Sequence, residues 1–371
     1  QEYGQRIQQE FHKHSYGGAS IVYAVQELPD EKDAWKDNTW LERNLLRHRL
    51  AQKKSEAPAI VSLPSHPFLR PCSACGTRYA EYPDPAESSD PASQSNRYCG
   101  ACREKRLEDD RIKSGFHHVI KESKNVEKPY AWEGVIGGLT DEYKKQLPDD
   151  TERPPDFNEL RGITGGKDYL ALIYADGNGM GQLFDGLETL TDVHKTAKAI
   201  DDAIFAAMSA AVSEHLKVVP REGSTPPRFP FDMLLMGGDD AMIVTPAPQA
   251  LNVACTLAKK FYEETQKSDP KKKARTLSIG IVFAPVNYPF GLLYELAKET
   301  LHYAKKEGEK KQRRFSKAPD LLNYGDTCIN FMSVTGSTSL SFERIYKSLH
   351  KKHINDRGHE VALYATLRPY M

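Results

Sequence analysis

Three groups of residues in this chain have the types and spacing to do chemistry. The first is Gly237-Gly238-Asp239-Asp240. Apolar runs flank it, Phe231 to Met236 before and Ala241 to Thr245 after, so the four residues read as the turn of a β-hairpin. Gly-Gly-Asp-Asp is also ordinary turn chemistry. Adjacent carboxylates at a tight turn nevertheless repel unless protons or a cation intervene. The simplest such cation is a hard divalent ion with oxygen ligands. The second group is Asp176-Gly177-Asn178-Gly179-Met180-Gly181, which closes the continuous apolar run Tyr169 to Ala175. Such a run reads as a strand buried on both faces. The glycine-rich loop after it leaves backbone N–H groups bare at a strand-to-helix turn, a cradle for phosphate. The third group is Cys72, Cys75, Cys99 and Cys102, spaced Cys-x2-Cys-x23-Cys-x2-Cys. Each pair sets two thiolates on one side of a knuckle, and two knuckles complete a tetrahedron for zinc. With Cys at all four positions no site is left for water, which argues a structural ion. The alternative is four unrelated thiols.

The elements that must position the carboxylates follow one another in a recognisable order. A strand over 169–175 leads to a long Ala-rich helix over about 191–218, and a Pro/Arg loop leads to the hairpin. Then come a helix over 248–266, a strand over 276–284, a helix over 289–307 and a strand over 328–334. This begins as a ferredoxin-like βαββαβ unit with an antiparallel sheet, of the α+β class. In that topology the first strand neighbours the hairpin, so Asp176 comes within reach of Asp239 and Asp240. Three converging carboxylates are what two-metal phosphoryl transfer requires: one ion activates a hydroxyl while the other holds phosphates and leaving group.

Composition narrows the setting. Lys plus Arg equals Asp plus Glu at 51 each, so no global basic field advertises nucleic acid and any such contact is local. No apolar run approaches the length of a membrane span, and no signal peptide is visible, so the expectation is a cytoplasmic protein with no membrane partner. Four of the six cysteines sit in Cys-x-x-Cys pairs, which points to metal in a reducing compartment rather than to disulfides. Cys255 and Cys328 read as buried small hydrophobes. His117-His118 reads as an ordinary surface pair, because neighbouring side chains diverge. At the front, a helix over 2–13, a strand over 19–28 and a helix over 35–54 cannot close a sheet alone. With Gln1 at the start, the front of a domain is expected to be missing.

These residues resemble the nucleotidyl-cyclase and polymerase palm superfamily. The GGDEF diguanylate cyclases share the Asp-ended strand, the Gly-Gly-acid-acid hairpin, a Ser-x-Gly strand (here Ser278-Ile279-Gly280) and a helix ending Ala-Lys-x-x-Gly (here Ala304 to Gly308). By that likeness Lys305 would reach the nucleotide phosphates. The sequence is more similar to the large subunit of type III CRISPR effector complexes. Tyr174 to Gly181, the Gly-Gly-Asp-Asp hairpin, the upstream cysteines and Thr366 to Tyr370 carry that likeness.

The resemblance implies residues 1–56 as the truncated end of a first palm, 57–112 as a zinc-ribbon insertion and 113–166 as a helical linker. It implies 167–335 as the catalytic palm and 336–371 as the start of a C-terminal helical domain. It implies magnesium or manganese on Asp176, the Gly177 carbonyl, Asp239 and Asp240, and zinc on the cysteines. Gly177 to Gly181, Gly237, Gly238, Ser278 and Lys305 would bind nucleotide. The activity implied is conversion of ATP to cyclic oligoadenylate or another AMP-containing messenger. The partners implied are subunits of a guide-RNA complex, target RNA as activator, and a second palm facing the first. Where the diguanylate cyclases carry an Asn that reads guanine, this chain has Phe184; where they carry an Arg after the lysine, it has Glu309. Phe184 cannot make paired hydrogen bonds to a purine, which favours adenine. A GTP-using cyclase and a non-catalytic scaffold subunit are the alternatives.

Overall fold

The computed structural model describes residues 2–15, 21–28, 38–56, 69–76, 78–84, 96–108, 131–148, 150–160, 168–218, 226–268, 274–315, 327–334, 341, 343, 353–354 and 360–361. The chain divides into two compact units, residues 1–115 with 187–192, and residues 116–186 with 193–371. Among the described residues no helix is long and apolar enough to cross a membrane.

In the first unit, α1 (Glu2–His14) forms as its spacing predicts, while α2 (Trp40–Glu56) starts later than the expected residue 35, Asn38 being taken into a bridge with Thr189; neither helix buries a side chain. The strand expected over 19–28 does not form: residues 21–28 have no regular structure. A strand needs a neighbour to satisfy its backbone, and among the described residues this segment has no ladder partner. Further on, β1 (Tyr82–Pro83) pairs antiparallel with β2 (Arg97–Tyr98). Residues 100–108 are helical (α3). Buried Asp84 ties this small module together, accepting from Tyr98 Oη at 3.1 Å and Arg106 Nε at 2.9 Å.

The second unit opens with α4 (Ala131–Gly137) and α5 (Asp141–Gln146). A mixed five-stranded sheet follows, built from β3 (Tyr169–Gly177), β4 (Asp232–Gly237), β5 (Asp240–Pro246), β6 (Leu277–Pro285) and β7 (Cys328–Ser333). Its helices are α6 (Met180–Asp185), α7 (Leu190–His215), α8 (Ala250–Ser268) and α9 (Phe290–Phe315). The strand order is β4-β5-β3-β6-β7. The first four strands are antiparallel neighbours in the ferredoxin-like arrangement, and β7 adds to the edge parallel to β6. A parallel neighbour demands a crossover, which α9 supplies.

Alternation along β3 sorts the two faces. Ala171, Ile173 and Ala175 pack with Ile204 and Met208 of α7 and Val253 and Leu257 of α8. Leu170 and Leu172 pack with Leu293, Leu296 and Tyr303 of α9. The sheet is therefore covered on both sides, which is why β3 and β6 read as continuous apolar runs. Gly280 lets α9 lie directly on β6: a Cβ there would stand 2.5 Å from Leu301 N and 2.8 Å from Ala297 O.

Within the segment expected as a linker, Trp132, Val135, Ile136, Leu139 and Tyr143 belong to the core of this unit, and Leu160 to the layer beneath α9. Trp132 Nε1 donates to Asp232 Oδ1 at 3.1 Å, and Arg153 pairs with the same oxygen at 2.9 Å. Trp132 also stacks on Phe231 with ring centroids 4.7 Å apart. Past β7, Ser341 Oγ and the Glu343 N–H donate to Glu299 Oε2 of α9 at 3.4 and 3.2 Å, and the strands among the described residues are the short antiparallel pair β8 (His353–Ile354) and β9 (Glu360–Val361). The remainder of the expected helical start, His117-His118 and Thr366 to Tyr370 lie outside the described residues.

Candidate active site

The carboxylates meet at one end of the sheet. Asp176 is the penultimate residue of β3 and pairs across to Ser278 on β6. On the other side Ala175 pairs with Ala241 of β5, so one further step sets Asp176 opposite Asp240. Like charges directly opposite on a sheet destabilise it unless something compensates. Alternation puts Asp176 on the face covered by α9, and there Lys305 forms an ion pair with its Oδ2.

The hairpin turn is Gly238-Asp239, closed by the Gly237–Asp240 pair. Gly238 has φ +62°, the left-handed value that a turn matching the strand twist needs at this position. Asp239 folds back over Gly177. A Cβ on Gly177 would stand 2.7 Å from Asp239 Oδ2 and 2.8 Å from Asp239 Cβ. Burial, then the charge of Asp240, push the Asp239 carboxyl above its usual range, against a smaller opposing pull from the Gly177 backbone. Burial raises Asp240 as well, and its Oδ1 is buried with no hydrogen-bond donor. Two ionisable oxygen donors held against their preferred charge state, one of them orphaned, fit a hard divalent cation.

The side chains of the loop after Asp176 are used within the protein. Asn178 donates to Thr276 Oγ1 at 3.0 Å and accepts from Ser278 Oγ at 2.8 Å, while its N–H bonds the Thr276 carbonyl at 2.9 Å. Asn178 and buried Ser278 thus spend polar groups on each other and brace the loop to β6. Gly179, at φ +69°, turns the chain into α6, and the Met180 side chain enters the core. What the loop can offer a phosphate is backbone N–H. Phe184 packs against the same core. The side chains of Glu309, Lys310 and Lys311 lie outside the described residues.

Sequence reasoning missed several residues around the site. Asp201 on α7 accepts from the Gly238 N–H at 3.0 Å. Tyr174 stacks on Tyr294 of α9, and burial, followed by Asp240 and Tyr294, raises its hydroxyl pKa. Neither Asp201 nor Tyr294 stands out by type or spacing, since each contact needs the folded sheet to bring α7 or α9 to the strand ends.

The four cysteines come together independently. Among the described residues they are the one set of three or more metal-ligating side chains whose ligand atoms all lie within 4.8 Å of one another. Asp176, Asp239 and Asp240 share the sheet's end without reaching that spacing. Cys75 and Cys99 Sγ stand 4.0 Å apart; thiolates at zinc distance on a tetrahedron stand about 3.8 Å apart. Burial pushes the Cys72 thiol up, but hydrogen bonds from the backbone of Cys75, Cys99 and Ala74 outweigh it and leave it lowered. Burial raises Cys99 and Cys102. The cluster could hold zinc.

A mixed sheet with Asp176 near the end of its central strand, beside a Gly-Gly-Asp-Asp hairpin, has the arrangement of a palm domain. Residues 169–313 match the family model of the Cas10/Cmr2 second palm domain, and the resemblance to the large palm subunit of type III CRISPR effector complexes stands with that match. A comparison with curated proteins found no match. Among solved structures the chain is similar to a Csm1–Csm4 cassette in complex with cA4, at 19% identity and TM-score 0.34, over 41% of this chain and 21% of that one. It is also similar to Csm1 of T. onnurineus, at 22% identity and TM-score 0.33, over 41% of this chain and 22% of that one. The match spans about a fifth of the length of those solved chains.

Proposed function

We propose that the palm is a divalent-metal-dependent nucleotidyltransferase of type III CRISPR defence, which joins ATP into a cyclic oligoadenylate or other AMP-containing messenger and releases pyrophosphate. The observation that carries this reading is the end of β3: Asp239 clasped over Gly177, with Asp176 and Asp240 at facing register positions and Asp240 Oδ1 orphaned. Asp176, Asp239, Asp240 and the Gly177 carbonyl would hold magnesium or manganese. Bound there, such ions lower the pKa of an attacking ribose hydroxyl and hold the phosphates and leaving group.

The chain's own residues do the rest. Backbone N–H groups of Gly179 to Gly181 orient the phosphates, with Asn178 and Ser278 bracing that loop to β6. The Gly237-Gly238 backbone leaves the mouth of the site open to a nucleotide. Lys305 balances Asp176 until a nucleotide enters, and then supplies a point charge to its phosphates. Phe184 presents no paired donors and acceptors to guanine, which supports ATP. Zinc on Cys72, Cys75, Cys99 and Cys102 is a structural staple. Subunits of a guide-RNA complex, target RNA as activator and a second facing palm complete the assembly in this reading.

The experiment is the double variant Asp239→Ala, Asp240→Ala, assayed for product from ATP by mass spectrometry. Loss of product with unchanged zinc content is expected. Undiminished turnover refutes the mechanism.

A further inference from the structure

The hairpin tip has two tethers, and only one of them lies in the residues that motif reading singles out. Ladder pairing ends at Gly237–Asp240, so the N–H of Gly238, the first turn residue, has no strand partner. It donates instead to Asp201 Oδ1 at 3.0 Å. Asp201 sits on α7 between residues that anchor that helix: Ile200, Ala203 and Ile204 are all buried in the core beneath the sheet. Its Cα is therefore fixed with respect to β3, and a two-bond side chain leaves little play between helix and tip. The next residue along, Asp239, is seated against the strand: only the missing Cβ of Gly177 lets its carboxylate and Cβ come this close, 2.7 and 2.8 Å from where that atom would stand. Consecutive turn residues are thus gripped from two elements, α7 and β3, that have no sequence proximity to the turn.

We propose that Asp201 is a positioning residue for the carboxylate hairpin. Its carboxylate fixes the tip so that Asp239 lies over Gly177 rather than swinging free, and its charge adds to the negative potential at the mouth of the site. The part of this proposal that concerns metal rests on the reading given under Proposed function; the part that concerns the tip does not. A hydrogen bond to a charged acceptor is worth more than a neutral one, and a site loosened by about 1 Å loses much of its function.

The test uses the full chain and two readouts. Amide hydrogen exchange is followed in the peptide covering residues 234–242, and Mn2+ binding is followed by electron paramagnetic resonance with the metal alone. Asp201→Ala is expected to speed exchange at the tip about tenfold, with the β6 and β7 amides unchanged, and to weaken Mn2+ binding about tenfold. Asp201→Asn keeps the acceptor and drops the charge, so it should restore slow exchange while recovering Mn2+ affinity only in part. Asp201→Glu keeps the charge but lengthens the side chain, so its exchange should resemble that of Asp201→Ala. Unchanged exchange in Asp201→Ala, or slow exchange in Asp201→Glu with fast exchange in Asp201→Asn, overturns the positioning role. Fast exchange with undiminished Mn2+ affinity overturns the link from tip to metal. If the unaltered chain binds no Mn2+, the metal reading under Proposed function fails, while the hold of Asp201 on the tip is still decided by exchange.

Discussion

Gly280→Ala probes the contact on which the geometry of Lys305 depends. The added methyl would meet Leu301 N at 2.5 Å and Ala297 O at 2.8 Å, with Leu301 Cα at 3.0 Å. All three are backbone atoms of α9, so no side chain can rotate away to make room. Unstrained contacts of this kind stand at about 3.5 Å or more, so α9 must retreat from β6 by roughly 1 Å. Overpacking of a core costs about 1–3 kcal/mol, and relief by helix movement alone points to the upper part of that range. For a domain of this size each kcal/mol lowers the unfolding midpoint by about 2–4 °C, so a fall of about 5–10 °C is expected. Lys305 lies one helical turn beyond Leu301 on the same face, so the retreat carries its ammonium away from Asp176. Thermal unfolding and binding of a non-hydrolysable ATP analogue are measured together, and both should weaken while zinc content holds. Gly291→Ala is the control: it lies in the same helix, a Cβ there meets nothing within 4 Å, and it should be neutral or stabilising by about 0.4–1 kcal/mol. An unfolding midpoint and nucleotide affinity both equal to those of the unaltered chain would show that β6 and α9 are not packed this closely.

Other substitutions separate fold from chemistry. Gly177→Ala forces Asp239 off its seat, since its carboxylate and Cβ both stand under 3 Å from the new methyl; turnover should fall about 100-fold with the far-ultraviolet circular dichroism spectrum unchanged. Asp240→Asn should raise the unfolding midpoint of the metal-free chain at neutral pH and remove the further gain from added Mn2+. The sign follows from the raised carboxyl: the folded state holds its proton to higher pH than the unfolded state, so metal-free stability falls as pH rises through that raised pKa. A lower midpoint for Asp240→Asn would contradict this. Arg153→Met leaves Asp232 buried without its cation, at a cost of about 3–5 kcal/mol, measurable by urea unfolding.

The parts of this fold legible in the sequence are those whose signal is local. Tyr169 to Ala175 is apolar throughout because both faces of β3 are covered. The Cys-x2-Cys knuckles encode their own geometry. The Ser278-Ile279-Gly280 motif, matched by likeness, acquires physical causes: Ser278 braces Asn178, and Gly280 admits α9. The strand expected over 19–28 failed because alternation specifies a face but not a neighbour to pair with. The mutual hydrogen bond of Asn178 and Ser278 could not be read from the sequence, because it depends on the register between β3 and β6. The core role of Trp132, Val135, Ile136 and Leu139 was present as an i, i+3, i+4, i+7 pattern, but in a span too short to stand out from a charged, proline-rich surrounding. Helix α9 runs on to Phe315, past the expected end near Glu307, because the Lys, Glu, Gln and Arg residues that follow are strong helix formers.

The buried contact of Trp132 and Arg153 with Asp232 sets a practical limit on how the palm can be cut out for study. A fragment begun at residue 167 would take both Trp132 and Arg153 from the Asp232 carboxylate and uncover the flank of Phe229 and Phe231. Such a fragment would be prone to aggregate, and its inactivity would say nothing about the carboxylates. An expression boundary placed ahead of Ala131 keeps the acid neutralised and the aromatic stack closed, and so makes the enzymology interpretable.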